Sequence, residues 1–247
     1  MNTGLYIHIP FCVKKCNYCD FYSLGCNTPR NIERYVNALC THITREAELY
    51  RDRVFDTVFI GGGTPSVLNP ELTKSLLTCL KTQLNIASDA EFSVEVNPGT
   101  VTKELARTYK DNGVNRVSIG LQSVNDNELK MLGRIHTLDE FKTSYGILRE
   151  AGIDNINIDI MYALPDQKAE DFIKTLDTVA GFEPEHISAY CLKIEENTYF
   201  YKIKDTLVLP DEDEQYKMYE ALCNKLAAKG YEQYEISNFS KKGHRCV

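Results

Sequence analysis

Three cysteines dominate the chemistry this sequence could perform. In the stretch CVKKCNYCDF, Cys12, Cys16 and Cys19 are spaced by three residues and then by two. Thiolates are soft ligands that suit zinc or iron–sulfur centres. A structural zinc takes four ligands in a closed tetrahedron. His8 lies near in sequence, on the same face of its apolar run as Tyr6. A four-iron cluster gripped by three thiolates instead keeps one iron open, and an open metal position can bind a substrate. From these residues alone the zinc and cluster readings stand side by side. Cys26 follows closely, but Gly25, Asn27 and Pro29 around it read as loop, so it is not expected to be a ligand. Cys40, Cys79 and Cys223 fall on helical patterns beside apolar residues and are expected to be buried small hydrophobes.

Other polar residues recur at comparable places. The turn GGGTP spans Gly61 to Pro65, and glycine lets a backbone approach a ligand or take unusual dihedrals. Glu95 and Asn97 close an apolar run, and so do Gln122 and Ser123. Glu95 could accept hydrogen bonds from sugar hydroxyls. Asp159 sits among Ile156, Ile158 and Ile160, where burial without a partner would be costly. Arg134, in LGRIH, has the fork that pairs a carboxylate in bidentate fashion. Tyr190 lies in a further apolar run.

These residues need elements to position them. β-rich runs occur at Leu5–Ile9, Thr57–Ile60, Glu91–Val96, Arg116–Leu121, Ile156–Met161 and His186–Leu192. Helical periodicity separates them: Ile32, Tyr35, Val36, Leu39 and Ile43 form one stripe, and Leu72, Leu76, Leu77, Leu80 and Leu84 a second, entered through Asn69 and Pro70. Leu105, Ala106 and Tyr109 precede Gly113; Phe141, Tyr145 and Leu148 precede Gly152; Phe172, Leu176 and Val179 form a fifth stripe. Strands alternating with helices imply parallel pairing with right-handed crossovers. An open sheet and a barrel both fit. In a parallel α/β barrel the carboxyl ends of the strands share one mouth, and the cysteines, GGGTP, Glu95, Gln122, Asp159 and Tyr190 all fall at or near such ends.

The chain has 247 residues, 43% hydrophobic and 26% charged, with a net charge of −7. It is long enough for a substantial core. Lys and Arg are scattered and PDEDEQ is acidic, which argues against nucleic acid as a partner. Nine cysteines without a secretory signal argue against a disulfide framework. No apolar run approaches the roughly 20 residues of a membrane span. A cytoplasmic location is therefore expected. Near Pro210 the spacing changes: a helix from Asp213 to Lys229 leads to YEQYEISNF. The expected organisation is a core over 1–209, followed at 210–247 by a helix and the start of a C-terminal region.

The segments YIHIPFCVKKCNYCDFYS, GGGTPSVL, VEVNPGT, NRVSIGLQSVNDNELKMLGRIH, NINIDIMYALPDQ, HISAYCLKIEENT and YEISNF, in this order, resemble the radical S-adenosylmethionine (SAM) superfamily. Within it they resemble the coproporphyrinogen oxidase-like branch. The resemblance implies an α/β fold, a partial (β/α)6 TIM-like barrel with the start of a C-terminal subdomain. It implies a [4Fe–4S] cluster on Cys12, Cys16 and Cys19, whose open iron binds SAM and whose electron cleaves it to a 5′-deoxyadenosyl radical. It implies SAM contacts at Tyr6, Tyr18, Gly62, Gly63, Thr64, Glu95, Gln122, Arg134 and Asp159. His136 and Lys193 lie near further site positions of the family without being assigned. Coproporphyrinogen III oxidases of this branch carry another cysteine two residues after the third, and an N-terminal extension. Here Phe21 stands in that position and five residues precede Tyr6. Both departures are similar to the haem chaperone-like (HemW-type) group, which implies haem or porphyrin as ligand, a haem-accepting protein and an electron donor as partners. Oxygen-independent coproporphyrinogen III oxidation is the alternative. That group continues into a His-Asn-x-x-Tyr-Trp segment and a further domain, whereas this sequence reads YEISNFSKKGHRCV and has no Trp. The chain is expected to be C-terminally truncated, with haem bound by the full-length protein.

Overall fold

A computed structural model describes residues 3–25 and 28–247. Cys26 lies outside the described residues. Six parallel strands form the body of one sheet: β1 (Gly4–Ile9), β2 (Phe55–Gly62), β3 (Ile86–Val96), β4 (Arg116–Gln122), β5 (Asn155–Tyr162) and β6 (His186–Cys191). They pair in chain order, each with the next. A hairpin of β7 (Glu232–Glu235) and β8 (Asn238–Ser240) extends the sheet antiparallel to β6. β1 and β7 are its two edges, so the barrel is partial, as the resemblance implied.

The crossovers are helices α1 (Pro29–Glu46), α2 (Pro70–Gln83), α3 (Lys103–Asp111), α4 (Asp126–Met131), α5 (Leu138–Glu150) and α6 (Ala169–Gly181), followed by α7 (Tyr199–Lys202) and α8 (Glu212–Ala228). Their starts follow from capping side chains. Asn69 accepts from Leu72 N, Thr102 from Leu105 N, and Thr137 forms a reciprocal capping box with Glu140. Gly113 and Gly152, at φ +87° and +79°, take the left-handed turn that ends α3 and α5.

Period two along the strands separates two interiors. Phe92, Val94 and Val96, then Val117, Ile119 and Leu121, then Ile156, Ile158 and Ile160, are buried toward the helices in one continuous apolar core. The alternate positions, Ser93, Glu95, Arg116, Ser118, Asn157, Asp159, His186 and Ser188, form a polar inner face. An eleven-residue β3 begins earlier than the expected Glu91, and its pairing with β2 shifts register between Phe55 and Thr57. Cys40, Cys79 and Cys223 are half-buried rather than buried, on helix flanks against this core.

The hairpin is fastened by Phe239, 1% exposed in the main core. Phe239→Ala should cost about 3–5 kcal/mol, a lost ring plus a cavity. Urea unfolding followed by circular dichroism checks this, the shift appearing in the midpoint without a separate early transition.

Candidate cofactor site at the barrel mouth

The cysteine loop leaves β1 and folds back at once. Phe11 and Cys12 pair with Leu24 and Gly25, and Leu24 N donates to Pro10 O at 2.6 Å. Its middle is held by Asn17, between Cys16 and Cys19. Asn17 N donates to Leu132 O at 2.9 Å and its Nδ2 to Met131 O at 2.8 Å, while its carbonyl accepts Phe200 N at 2.9 Å. A side chain at Gly133 would press on Asn17, its Cβ falling 2.9 Å from Asn17 Cγ.

The glycine turn packs against this loop. Gly63 N donates to Ile9 O at 2.8 Å and Thr64 N to Phe11 O at 2.7 Å. A Cβ at Gly63 would stand 2.7 Å from Phe11 O, and one at Gly62, where φ is +112°, would meet the His8 ring at 2.6 Å. Gly62 thus takes the unusual dihedral that glycine permits, and Gly63 is required by close backbone approach to the cysteine loop. The result brings Thr64 Oγ1 within 3.5 Å of Cys12 Sγ as a donor.

Arg134 joins the loop to the strand ends. Its Nη1 donates to Cys16 Sγ at 3.6 Å, and its Nη2 to Asn97 Oδ1 at 2.8 Å and Gly120 O at 2.5 Å. Asn97 Nδ2 in turn donates to Thr64 Oγ1 at 2.9 Å. Among the described residues the guanidinium pairs with no carboxylate, and its Nε is buried without a partner. Gly120 leaves the space for it: a Cβ there would lie 3.2 Å from Arg134 Nη2. The pairing of β4 with β5 shifts between Gly120 and Gln122, and Gln122 takes φ +70°, a costly conformation for a non-glycine residue.

A cavity of about 680 Å³ opens over these groups. Cys12, Cys16, Cys19, Tyr18, Gly62, Gly63, Thr64, Glu95, Gln122, Arg134 and Asp159 all line it, with Asn97, Ser118, Tyr190, Lys193 and Phe21 beside them. Tyr6 is placed outside the lining. It is 57% exposed near the open edge of the sheet, stacked on Phe59 and bonded to His8 Nδ1 at 3.1 Å. His136 is buried and lines a small crevice beside the cavity with Cys16, Thr64, Asn97 and Arg134, its Nε2 3.2 Å from Leu121 O.

Of the four carboxylates that line the cavity, Asp20 and Glu195 are exposed, and Glu95 and Asp159 lie deeper with unequal support. Glu95 accepts Gly62 N–H at 3.0 Å. Burial first, then the charge of Asp159, raises it from 4.5 to about 7. Asp159 accepts from Ser118 Oγ at 2.8 Å and Asn157 Nδ2 at 2.7 Å; burial raises it and these bonds oppose the rise. Burial likewise raises the Cys19 thiol and takes the Tyr190 phenol to about 12.

The residues fit a polynuclear thiolate centre. Cys12, Cys16 and Cys19 are free thiols that line the cavity, two of them accepting hydrogen bonds from Thr64 and Arg134. Among the described residues no group of three His, Cys, Asp or Glu is placed to hold a metal ion, so the fit rests on the soft chemistry of the three thiols. His8, the candidate fourth zinc ligand, spends one ring nitrogen on Tyr6 OH and the other on Tyr22 O at 2.9 Å. Asn17, Ser118 and Asn157 escape a reading of motifs because partners they need come from distant elements.

The model of the radical SAM superfamily matches residues 6–179. The chain is 40% identical over 243 residues to the Heme chaperone HemW of Escherichia coli (strain K12), covering 98% of this chain and 64% of that protein. It is 38% identical over 241 residues to the Heme chaperone HemW of Bacillus subtilis (strain 168), covering 96% and 63%. The chain therefore spans somewhat less than two thirds of the length of these relatives. Among solved structures it is similar to the coproporphyrinogen III oxidase (HemN) from Escherichia coli, described as a radical SAM enzyme, with a TM-score of 0.90, 27% identity, and 98% and 56% of the two chains covered. Streptococcus suis SuiB bound to S-adenosylmethionine shares the fold at a TM-score of 0.58 and 16% identity, with 92% and 45% covered.

The raised Glu95 has a testable sign. Its folded pKa lies above its unfolded one, so the neutral form is favoured by folding and stability falls as pH rises from about 4.5 through 7. Glu95→Gln removes that loss. In urea unfolding of the cofactor-free chain, the variant should gain on wild type between pH 5 and pH 8, and a constant difference across that window counts against the buried neutral carboxyl.

Proposed function

This chain belongs to the radical SAM superfamily, and on that premise we propose that it binds a [4Fe–4S] cluster and SAM in the service of haem metabolism, as a haem chaperone-like protein. Cys12, Cys16 and Cys19 hold the cluster, and Gly62, Gly63, Thr64, Glu95, Gln122, Arg134, Asp159 and Tyr18 surround the SAM beside it. When bound, the cluster supplies the electron that cleaves the sulfonium. The single observation that carries the reading is the one cavity that gathers all of these side chains.

The chain's own groups have definable tasks. Arg134 and Thr64 donate to Cys16 and Cys12 sulfur and so stabilise thiolate charge in partly buried surroundings. Glu95 and Asp159 present carboxylate oxygens, and a cationic ligand offsets their mutual repulsion. Tyr18 closes the floor between Cys16 and Cys19.

The haem-chaperone part rests on the similarity to proteins so named and on Phe21, which lines the cavity where the oxidases of this branch place a further cysteine. Haem would pass to an acceptor protein, with a separate reductant feeding the cluster in a reducing cytoplasm. A second reading, SAM-dependent oxidative decarboxylation of coproporphyrinogen III, is favoured by the close superposition on the oxidase.

Anaerobic reconstitution should load about four irons and four sulfides per chain. Cys12→Ala should lose most of that iron and the visible absorption; a stoichiometric zinc in place of iron would falsify the cluster assignment. Incubating the loaded full-length protein with coproporphyrinogen III, SAM and a reductant should give no protoporphyrinogen, whereas added haem should be retained by it through gel filtration. Conversion of the porphyrinogen selects the second reading.

A further inference from the structure

Behind the cavity wall, the inner face of β5 and β6 carries buried polar side chains that no cofactor contact uses. Asn157 and His186 are 2% and 1% exposed. Their bonds form a chain from the cavity to the hairpin, and each bond has one allowed direction. Asn157 Nδ2 reaches Asp159 Oδ1 at 2.7 Å and Ser118 Oγ at 2.7 Å. A carboxylate only accepts, so the nitrogen of the amide must face it. Asn157 Oδ1 is thereby turned toward β6, where His186 Nδ1 stands at 2.6 Å and Ser188 Oγ at 3.1 Å. His186 Nδ1 must carry the hydrogen.

The other ring nitrogen completes the assignment. His186 Nε2 lies 2.7 Å from Tyr234 OH on β7, and the phenol oxygen accepts Cys246 N–H at 3.2 Å. Burial, then the neighbouring Arg116, lowers the imidazole to about 3, so the ring is neutral. A neutral ring protonated on Nδ1 accepts at Nε2, and Tyr234 is the donor. Without that donor the ring proton is free to sit on Nε2. The bond from Nδ1 that holds Asn157 Oδ1 toward β6 is then lost to the other ring tautomer, and the amide is held less firmly against Asp159.

We infer that Asn157, His186 and Tyr234 are positioning residues that fix the Asp159 carboxylate toward bound SAM, which makes the β7–β8 hairpin part of the ligand site. The inference rests on the proposed reading of Asp159 as a SAM contact. It adds that strand β6 and the hairpin act on the ligand through Asp159, from a residue 75 positions later in the chain.

The test uses the reconstituted chain and SAM itself, titrated anaerobically by calorimetry. Tyr234→Phe should weaken SAM about fivefold, one hydrogen bond's worth, with cluster iron unchanged. On an Asp159→Asn background the same change should have no further effect. Nitrogen-15 spectra of the His186 ring should show the neutral Nδ1–H form in wild type and its loss in Tyr234→Phe. His186→Asn, which keeps a donor toward Asn157, should retain SAM better than His186→Leu, a comparison that holds if Tyr234→Phe folds poorly. Wild-type affinity in Tyr234→Phe, additive losses in the double variant, or an Nε2–H ring in wild type overturns the inference alone. A wild-type chain that carries its cluster and binds no SAM overturns the functional reading and this inference with it.

Discussion

The site depends on one close approach between backbones. The end of β2 runs so near the start of the cysteine loop that Gly63 and Thr64 both donate to it, and no side chain fits between. Two hydrogen bonds and the absence of a Cβ fix where Cys12 lies relative to Thr64. Everything further along the loop inherits that origin: Asn17 pins the middle to the end of α4, and the short pairing with Leu24 and Gly25 closes the base. A loop of this length fixed at a single point would leave three thiols free to wander. Fixed at three, it presents them on one wall.

The polar inner face follows from the same economy of space. Parallel strands covered by helices bury their outer positions in apolar contact, so chemistry has to be placed on the alternate positions. Those positions face a barrel that is not filled. Glu95, Asp159, Arg116 and Arg134 could not be tolerated in a packed apolar interior without partners. Here Asn97, Ser118, Asn157 and the backbone of Gly62 and Gly120 supply most of them. Asn97 is the hinge of this arrangement, accepting from Arg134 while donating to Thr64, and so linking two of the groups that touch cysteine sulfur.

What the sequence made legible was local. The cysteine spacing, the glycine run and the capping residues each carry their meaning within a few positions, and Glu95, Gln122 and Asp159 were legible by falling at or near the ends of apolar runs. The resemblance to a known branch supplied Arg134, which alone reads as a surface charge. Asn17, Asn157 and His186 stayed hidden because their roles depend on partners 29 or more residues away, set by strand register and loop packing. The first residues of β3, Ile86 to Ala90, are small and polar enough to read as a turn, and only the bulged pairing with β2 makes them strand. Tyr6 shows the opposite limit: alternation assigns it to the inner face, but β1 is an edge, so that face opens to solvent there.

Burying two carboxylates on one wall has a consequence for what the cavity accepts. Glu95 and Asp159 each raise the cost of ionising the other, and only Asp159 has two side-chain donors to sustain its charge. At neutral pH Glu95 is therefore poised between forms, while Lys14, Lys15 and Lys193 sit in the same lining without an ion pair among the described residues. A ligand that brings positive charge to Glu95 and Asp159 relieves their mutual repulsion. SAM brings positive charge in its sulfonium, while its ammonium and carboxylate share one carbon at the end of the methionyl chain. Keeping Glu95 and Asp159 together on one wall therefore favours a guest that carries positive charge to them.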